Sequence, residues 1–262
     1  MREPVVVGNW KMHTTLVEAR ALAEGVRDGC RGLTGVRVVL CPPFTALAAV
    51  SQVLAGSAIQ AGAQDCHWAT QGAYTGAVSP AQIVDAGART VIVGHSERRA
   101  IFGETDEMVG QKVAAALAAG LVPLVCVGET GAERAAGRTN AVVERQVRAA
   151  LQDRSAEEIG RAWLAYEPVW AIGTWQAATP AQAAEVHARL REIVAELATS
   201  SVAQRCPILY GGSLKPDSAP ALFAEADVDG GLVGGASLKA VDFVEIVRAA
   251  PSAKGRTGSP IH

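Results

Sequence analysis

Apolar positions along this chain fall into short runs, separated by alanine-rich stretches in which apolar residues recur every three or four places. The runs cover 4–8, 36–41, 58–62, 90–94, 121–127, 162–166, 206–210 and 228–233, eight in all. Most are apolar throughout, which predicts strands covered on both faces. Helical spacing fills the gaps. Residues 15–28 place Leu16, Ala19, Ala23 and Val26 on one face. Residues 105–119 open with Thr105 as an N-cap, and Asp106 and Glu107 follow in the first turn. Helices are also predicted over 139–153, over 179–198 behind Thr179-Pro180, over 216–225, and over 237–249 behind a glycine pair.

Eight strand-then-helix units predict an α/β fold, a single-domain (β/α)₈ barrel over residues 1–250. The competing layout is an open, doubly wound sheet. That layout usually carries a G-x-G-x-x-G turn after its first strand, and here the strand runs into Gly8-Asn9-Trp10-Lys11 instead. Residues 251–262 are polar and rich in Gly, Ser and Pro, and are expected to be a disordered tail, with a docking peptide as the alternative.

Composition narrows the partners. The formal net charge is −2 and no run of five basic residues occurs, so nucleic acid is not an expected partner. No stretch of eighteen apolar residues occurs and no signal peptide is evident, so no membrane association is expected. Five cysteines (30, 41, 66, 126 and 206) are irregularly spaced without C-x-x-C. That fits a reduced, cytoplasmic compartment and indicates neither zinc nor a redox pair.

In such a barrel the chemistry sits at the C-terminal ends of the strands. Asn9 and Lys11 follow the first strand and would face the same way in an extended segment. Lys11 is then either a cation at the barrel mouth or an ordinary surface lysine. His95 follows the fourth strand beside an expected helix start, whose dipole would favour a neutral imidazole able to donate to an oxyanion. It could equally be structural. Glu167 follows the sixth strand. The apolar segment after it reads as a lid excluding water from the carboxylate, or as a buried loop. Gly211-Gly212-Ser213 and Gly234-Gly235-Ala236-Ser237 follow the last two strands, where barrels often bind phosphate through backbone N–H groups.

These segments together resemble the triosephosphate isomerase family. The matching stretches are Gly8 to Lys11, Gly94-His95-Ser96-Glu97-Arg98-Arg99, Ala165 to Thr174, Tyr210 to Ser213, and Gly230 to Ser237, in order and at the right spacing. The resemblance runs from about residue 4 to residue 249. It implies that Glu167 is the general base, His95 the neutral electrophile, Lys11 the substrate's cationic partner, Asn9 a positioning group and Glu97 a supporting acid. It implies a phosphate cradle at Gly173, Ser213, Gly234 and Gly235, a sugar-phosphate substrate, and no metal or organic cofactor. Residues Gln64 to Ser79 resemble a loop that docks into a second subunit, with Thr75 reaching the partner's site, so a homodimer is implied. Trp175 and Gln176 depart from the family's usual lid glycine and lysine, and Ala77 stands where an acid is usual. The altered lid leaves open a four-carbon sugar phosphate such as erythrulose phosphate. A non-catalytic phosphate-binding scaffold is the further alternative.

Overall fold

The structure is a computed structural model that describes residues 2–172 and 178–250. The 251–262 tail and the lid residues 173–177 lie outside the described residues. Eight parallel strands close into a barrel in sequence order. They are β1 (Val5–Asn9), β2 (Arg37–Cys41), β3 (Gln60–Ala63), β4 (Thr90–Val93), β5 (Val122–Val127), β6 (Trp163–Tyr166), β7 (Ile208–Tyr210) and β8 (Gly230–Val233). Closure is made by β1, which pairs with β2 through Val5↔Arg37 and with β8 through Val5↔Gly230. The fold expected from the apolar runs is therefore the fold observed.

Side chains alternate across each strand. Val5, Val7, Val39, Cys41, Ile92, Leu124, Cys126, Ala165 and Leu209 fill the barrel interior. Their neighbours Val6, Val38, Leu40, Val91, Val93, Val125, Leu164 and Ile208 point outward into a second cluster shared with the helices. Both sets are buried, which is why the strands read as continuous apolar runs rather than alternating ones. The outer layer approaches closely at Gly8. A Cβ there would lie 3.1 Å from Cβ of Ser237 and 3.3 Å from the Phe243 ring, so glycine lets the last βα loop and helix settle on β1.

Helix starts follow their caps. Thr15, Ser79, Thr130, Ser155 and Thr179 each form a reciprocal capping box with the Glu or Gln three residues on. The expected long helices are present as Leu16–Gly29, Asp106–Ala118, Thr139–Leu151 and Pro180–Leu197. Two expectations are corrected. The 216–225 helix shrinks to Ala219–Phe223, because residues 215–218 are tied into a turn by Ser218 bonding to Lys215. The 237–249 helix begins only at Ala240, and a 3₁₀ turn, Gly235–Leu238, precedes it. The helix start expected beside His95 is present as Ser96–Phe102, and helices beyond those expected include Phe44–Leu54 and the short Pro80–Asp85, Gly131–Ala135 and Ala156–Arg161.

All five cysteines are buried and free. Burial pushes the Cys30 thiol up to about 11, and those of Cys66 and Cys206 to about 12. Among the described residues no helix is long and apolar enough to cross a membrane.

Candidate active site

The C-terminal ends of the strands open onto a cleft of about 930 Å³. Asn9, Lys11, His95, Glu97, Glu167, Ser213, Gly234 and Gly235 all line it. Residues spread over more than two hundred positions of sequence thus meet in one place. Gly173, the remaining candidate, lies outside the described residues.

Lys11 corrects one expectation. Its φ is +53°, so the segment after β1 is left-handed at Lys11, not extended. A non-glycine residue is strained in that conformation and needs neighbours to hold it. Three contacts do so. The Lys11 N–H donates to Asn9 Oδ1 at 3.0 Å. Gln64 Nε2, beyond β3, donates to the Lys11 carbonyl at 2.8 Å and to the Cys41 carbonyl at 2.9 Å. Lys11 Nζ donates to Glu97 Oε1 at 2.5 Å. The ammonium also lies beside the last βα loop: a Cβ built on Gly234 would sit 3.8 Å from it. In the sequence Gln64 marks only the start of the loop expected to dock. Nothing around it there signals that it fixes Lys11.

His95 caps the helix Ser96–Phe102. Its Nδ1 accepts from the Glu97 N–H at 3.2 Å, which assigns the ring proton to Nε2. Nε2 faces Glu167 Oε1 at 3.0 Å. Glu167 itself is buried and is held by Ser96, whose N–H donates to Oε2 at 2.8 Å and whose hydroxyl donates to Oε1 at 3.1 Å. Burial works against ionisation of Glu167, but the His95 interaction and the two Ser96 donors outweigh it, so its pKa lies below the usual glutamate value. For His95 burial disfavours charge, yet the adjacent Glu167 carboxylate prevails and raises its pKa. The expectation of a depressed imidazole therefore does not describe this arrangement. The helix amide favours the neutral ring, and the neighbouring carboxylate opposes it. The part played by Ser96 has no signature in the sequence beyond its place directly after His95.

This geometry yields a titration experiment. Ser96→Ala removes one of the donors to the Glu167 carboxylate and keeps the backbone one. The acid limb of kcat/KM should move to higher pH, because a lost donor makes protonation easier. A pH–rate profile of the variant superimposing on the wild type would contradict the link.

Glu167 is also fixed by its backbone surroundings. A Cβ on Gly211 would come 2.9 Å from Glu167 Cγ, and one on Gly128 only 1.7 Å from the Glu167 carbonyl oxygen. Behind Glu167, Glu129 is fully buried. It accepts from the Tyr166 hydroxyl and, at 2.9 Å, from Trp170 Nε1, and it pairs with Arg134 at 3.2 Å. The segment leaving Glu167 is thus anchored through Trp170 in the 3₁₀ turn Val169–Ala171. Across the cleft, the backbone N–H groups of Ser213 and Gly234 donate to no other described residue. That of Gly235 opens a 3₁₀ turn, where the first amides have no partner within the turn. A cation and unpaired amides side by side suit an anion. Among the described residues no group of three or more His, Cys, Asp or Glu side chains is arranged to hold a metal ion.

A closed (β/α)₈ barrel with a carboxylate, an imidazole and an ammonium gathered beside two glycine-rich loops defines an intramolecular isomerase of phosphorylated sugars. The chain belongs to the triosephosphate isomerase family, whose model matches residues 4–250. It is 53% identical over 251 residues to a triosephosphate isomerase of Roseiflexus sp. (strain RS-1), covering 96% of this chain and 99% of that protein. It is 54% identical to that of Roseiflexus castenholzii, over 94% of this chain and 97% of the relative. It is 52% identical to that of Pelobacter propionicus, over 94% and 98%. The four-carbon and scaffold alternatives gain no support from these names.

Proposed function

We propose that this protein interconverts dihydroxyacetone phosphate and D-glyceraldehyde 3-phosphate through an enediolate. The observation that carries the reading is the 3.0 Å approach of His95 Nε2 and Glu167 Oε1 inside the cleft that also holds Lys11. Glu167 takes the proton from the carbon beside the carbonyl and returns it to the neighbouring carbon. His95 and Lys11 donate to the two oxygens on which negative charge grows, and Asn9 helps position them. Glu97 holds Lys11 in reach. The amides of Gly173, Ser213, Gly234 and Gly235 take the phosphate.

In the structure Glu167 rests on Ser96 and His95, so it must leave them to reach carbon. Leaving removes the donors that weaken it as a base. Once the carboxylate has gone, burial, the Glu97 N–H and the Lys11 cation favour neutral His95, and the Glu97 carboxylate 3.7 Å from Nδ1 still opposes it. A neutral imidazole can donate from Nε2 without first losing a proton. A coupled assay on glyceraldehyde 3-phosphate tests the reading. Turnover on that substrate, well above turnover on erythrulose phosphate, is expected; the reverse order would displace the three-carbon assignment.

The protein is further proposed to act as a cytoplasmic homodimer in sugar-phosphate metabolism. Five free thiols support the compartment. Exposed Met12, Tyr74, Ile101 and Phe102 are the apolar side chains such an interface would cover. Within the 64–79 loop, His67 stacks on Trp68 at 4.3 Å and lies tilted against Tyr74 at 4.1 Å, which stiffens a segment meant for docking. Analytical ultracentrifugation should find dimers for the wild type and monomers for Thr75→Arg. A monomeric wild type with full turnover would end the dimer proposal.

A further inference from the structure

Lysine is scarce in this chain and unevenly placed. There are five lysines against nineteen arginines. Four lysines are among the described residues, and three of those, Lys11, Lys215 and Lys239, line the active-site cleft. The fourth, Lys112, is buried between Asp65 and Glu104. Lys11 is neutralised locally by Glu97 at 2.5 Å. Lys215 and Lys239 differ from both. Each is exposed at the cleft rim, and neither has an ion-pair partner among the described residues. Lys215 follows β7 and Lys239 closes the 3₁₀ turn after β8, so they flank the loops that carry the unpaired amides of Ser213, Gly234 and Gly235.

The charge balance of the cleft gives these two lysines their weight. Among the described residues its ionisable lining consists of three lysines and four carboxylates, namely Glu97, Glu167, Asp217 and Asp242, together with His95. The molecule as a whole carries −2. An approaching phosphate dianion therefore meets no general attraction. Without Lys215 and Lys239 it would face four carboxylates and one lysine already paired with one of them. Concave sites concentrate field, so two free ammonium groups at the rim decide its sign as seen by the dianion.

We propose that Lys215 and Lys239 form a capture pair, which draws the substrate phosphate to the rim and hands it to the amides inside. The proposal rests on the reading of this cleft as a sugar-phosphate site. Lysine suits such a role because it is a flexible point charge, whereas arginine would grip phosphate through a rigid two-pronged contact and hold product back. The pair acts on encounter, so its effect belongs to kcat/KM and depends on salt. Exposed charges lose their reach as the Debye length falls from about 30 Å at 0.01 M to about 3 Å at 1 M.

The test measures kcat/KM for glyceraldehyde 3-phosphate across ionic strength, in the wild type and in the double variant Lys215→Gln/Lys239→Gln. At low ionic strength the double variant should lose roughly tenfold, and the gap should close to about twofold or less near 0.5 M. The charge-conserving Lys215→Arg/Lys239→Arg should keep the wild-type salt slope. Unphosphorylated glyceraldehyde should show a much smaller loss than the phosphorylated substrate. Arg205→Gln, which removes a positive charge just ahead of β7 at the other end of the barrel, should leave the slope unchanged. The capture role is overturned if the double variant keeps the wild-type salt slope, or if it loses equally on both substrates. A wild type with no isomerase activity would overturn the isomerase reading first, and the capture role with it.

Discussion

Glu167→Asp is expected to lower kcat by on the order of a hundredfold or more, while the inhibition constant for inorganic phosphate stays within about twofold. The shorter side chain withdraws the carboxylate by about one methylene, and a displacement near 1 Å is enough to cost that much. The backbone cannot follow to compensate. Gly128 and Gly211 press so closely on residue 167 that they leave no room for a Cβ. The amides of Ser213, Gly234 and Gly235 lie on other elements and are untouched, so affinity for phosphate should survive. Steady-state kinetics with a phosphate competition series separates the two quantities. A variant that keeps wild-type kcat would remove Glu167 from the role of base, and one that loses phosphate affinity in proportion would show that the change had spread beyond it.

The second large effect concerns stability. Lys112 is buried, and its ammonium donates to Asp65 at 2.7 Å and to Glu104 at 2.6 Å. Glu104 also accepts from the Gly94 N–H at 2.9 Å and from Arg98 Nε at 2.7 Å. The cluster therefore braces the residue just before His95. Lys112→Met leaves buried Glu104 and partly buried Asp65 to share Arg98 as their remaining cationic partner among the described residues, which costs at most about 3–5 kcal/mol. In a chain of this size that should lower the thermal midpoint by roughly 6–20 °C.

The pH dependence has a definite sign. Burial alone would raise the pKa of Glu104, but Lys112 and then Arg98 bring it below the usual glutamate value. Its contribution to stability is thus present above the unfolded-state pKa and is lost as pH falls through the lower folded-state one. Asp65 works the other way, since burial there outweighs its partners and raises its pKa. The gap between wild type and Lys112→Met should accordingly be wide at neutral pH and narrow in acid. Thermal melts at pH 7 and pH 4 measure it, and a gap that widened in acid would contradict the assignment to Glu104.

The barrel was legible because its strands are buried on both faces and its long helices carry caps and regular spacing. The helix Leu16–Gly29 follows Thr15, and Pro180–Leu197 follows Thr179, where the sequence places them. Short helices such as Gly131–Ala135 escape notice because one turn and a half cannot show a period. The end of the chain misleads for a related reason. Residues 237–239 are expected to begin the last helix, but the backbone first closes a 3₁₀ turn, Gly235–Leu238.

Of the site, the residues at strand ends could be named because the barrel tells which ends matter. What could not be read was how they hold one another. The left-handed backbone at Lys11 depends on Gln64, fifty-three positions away, and the resting place of Glu167 depends on Ser96, seventy-one positions away. Such contacts depend on closure of the barrel and leave no local trace. The same holds for Glu129, which looks like any loop acid until Tyr166 and Trp170 are seen to converge on it.

The two glycines wedged against residue 167 limit how this scaffold can be remade. Positions 128 and 211 are closed to any library of side chains, since even alanine would collide with Glu167 or the chain beside it. A designer seeking a roomier or differently charged chamber must work from the opposite wall, where a Cβ added at Gly235 would meet none of the described residues within 4 Å. Freedom to evolve new substrates is therefore lopsided around the mouth.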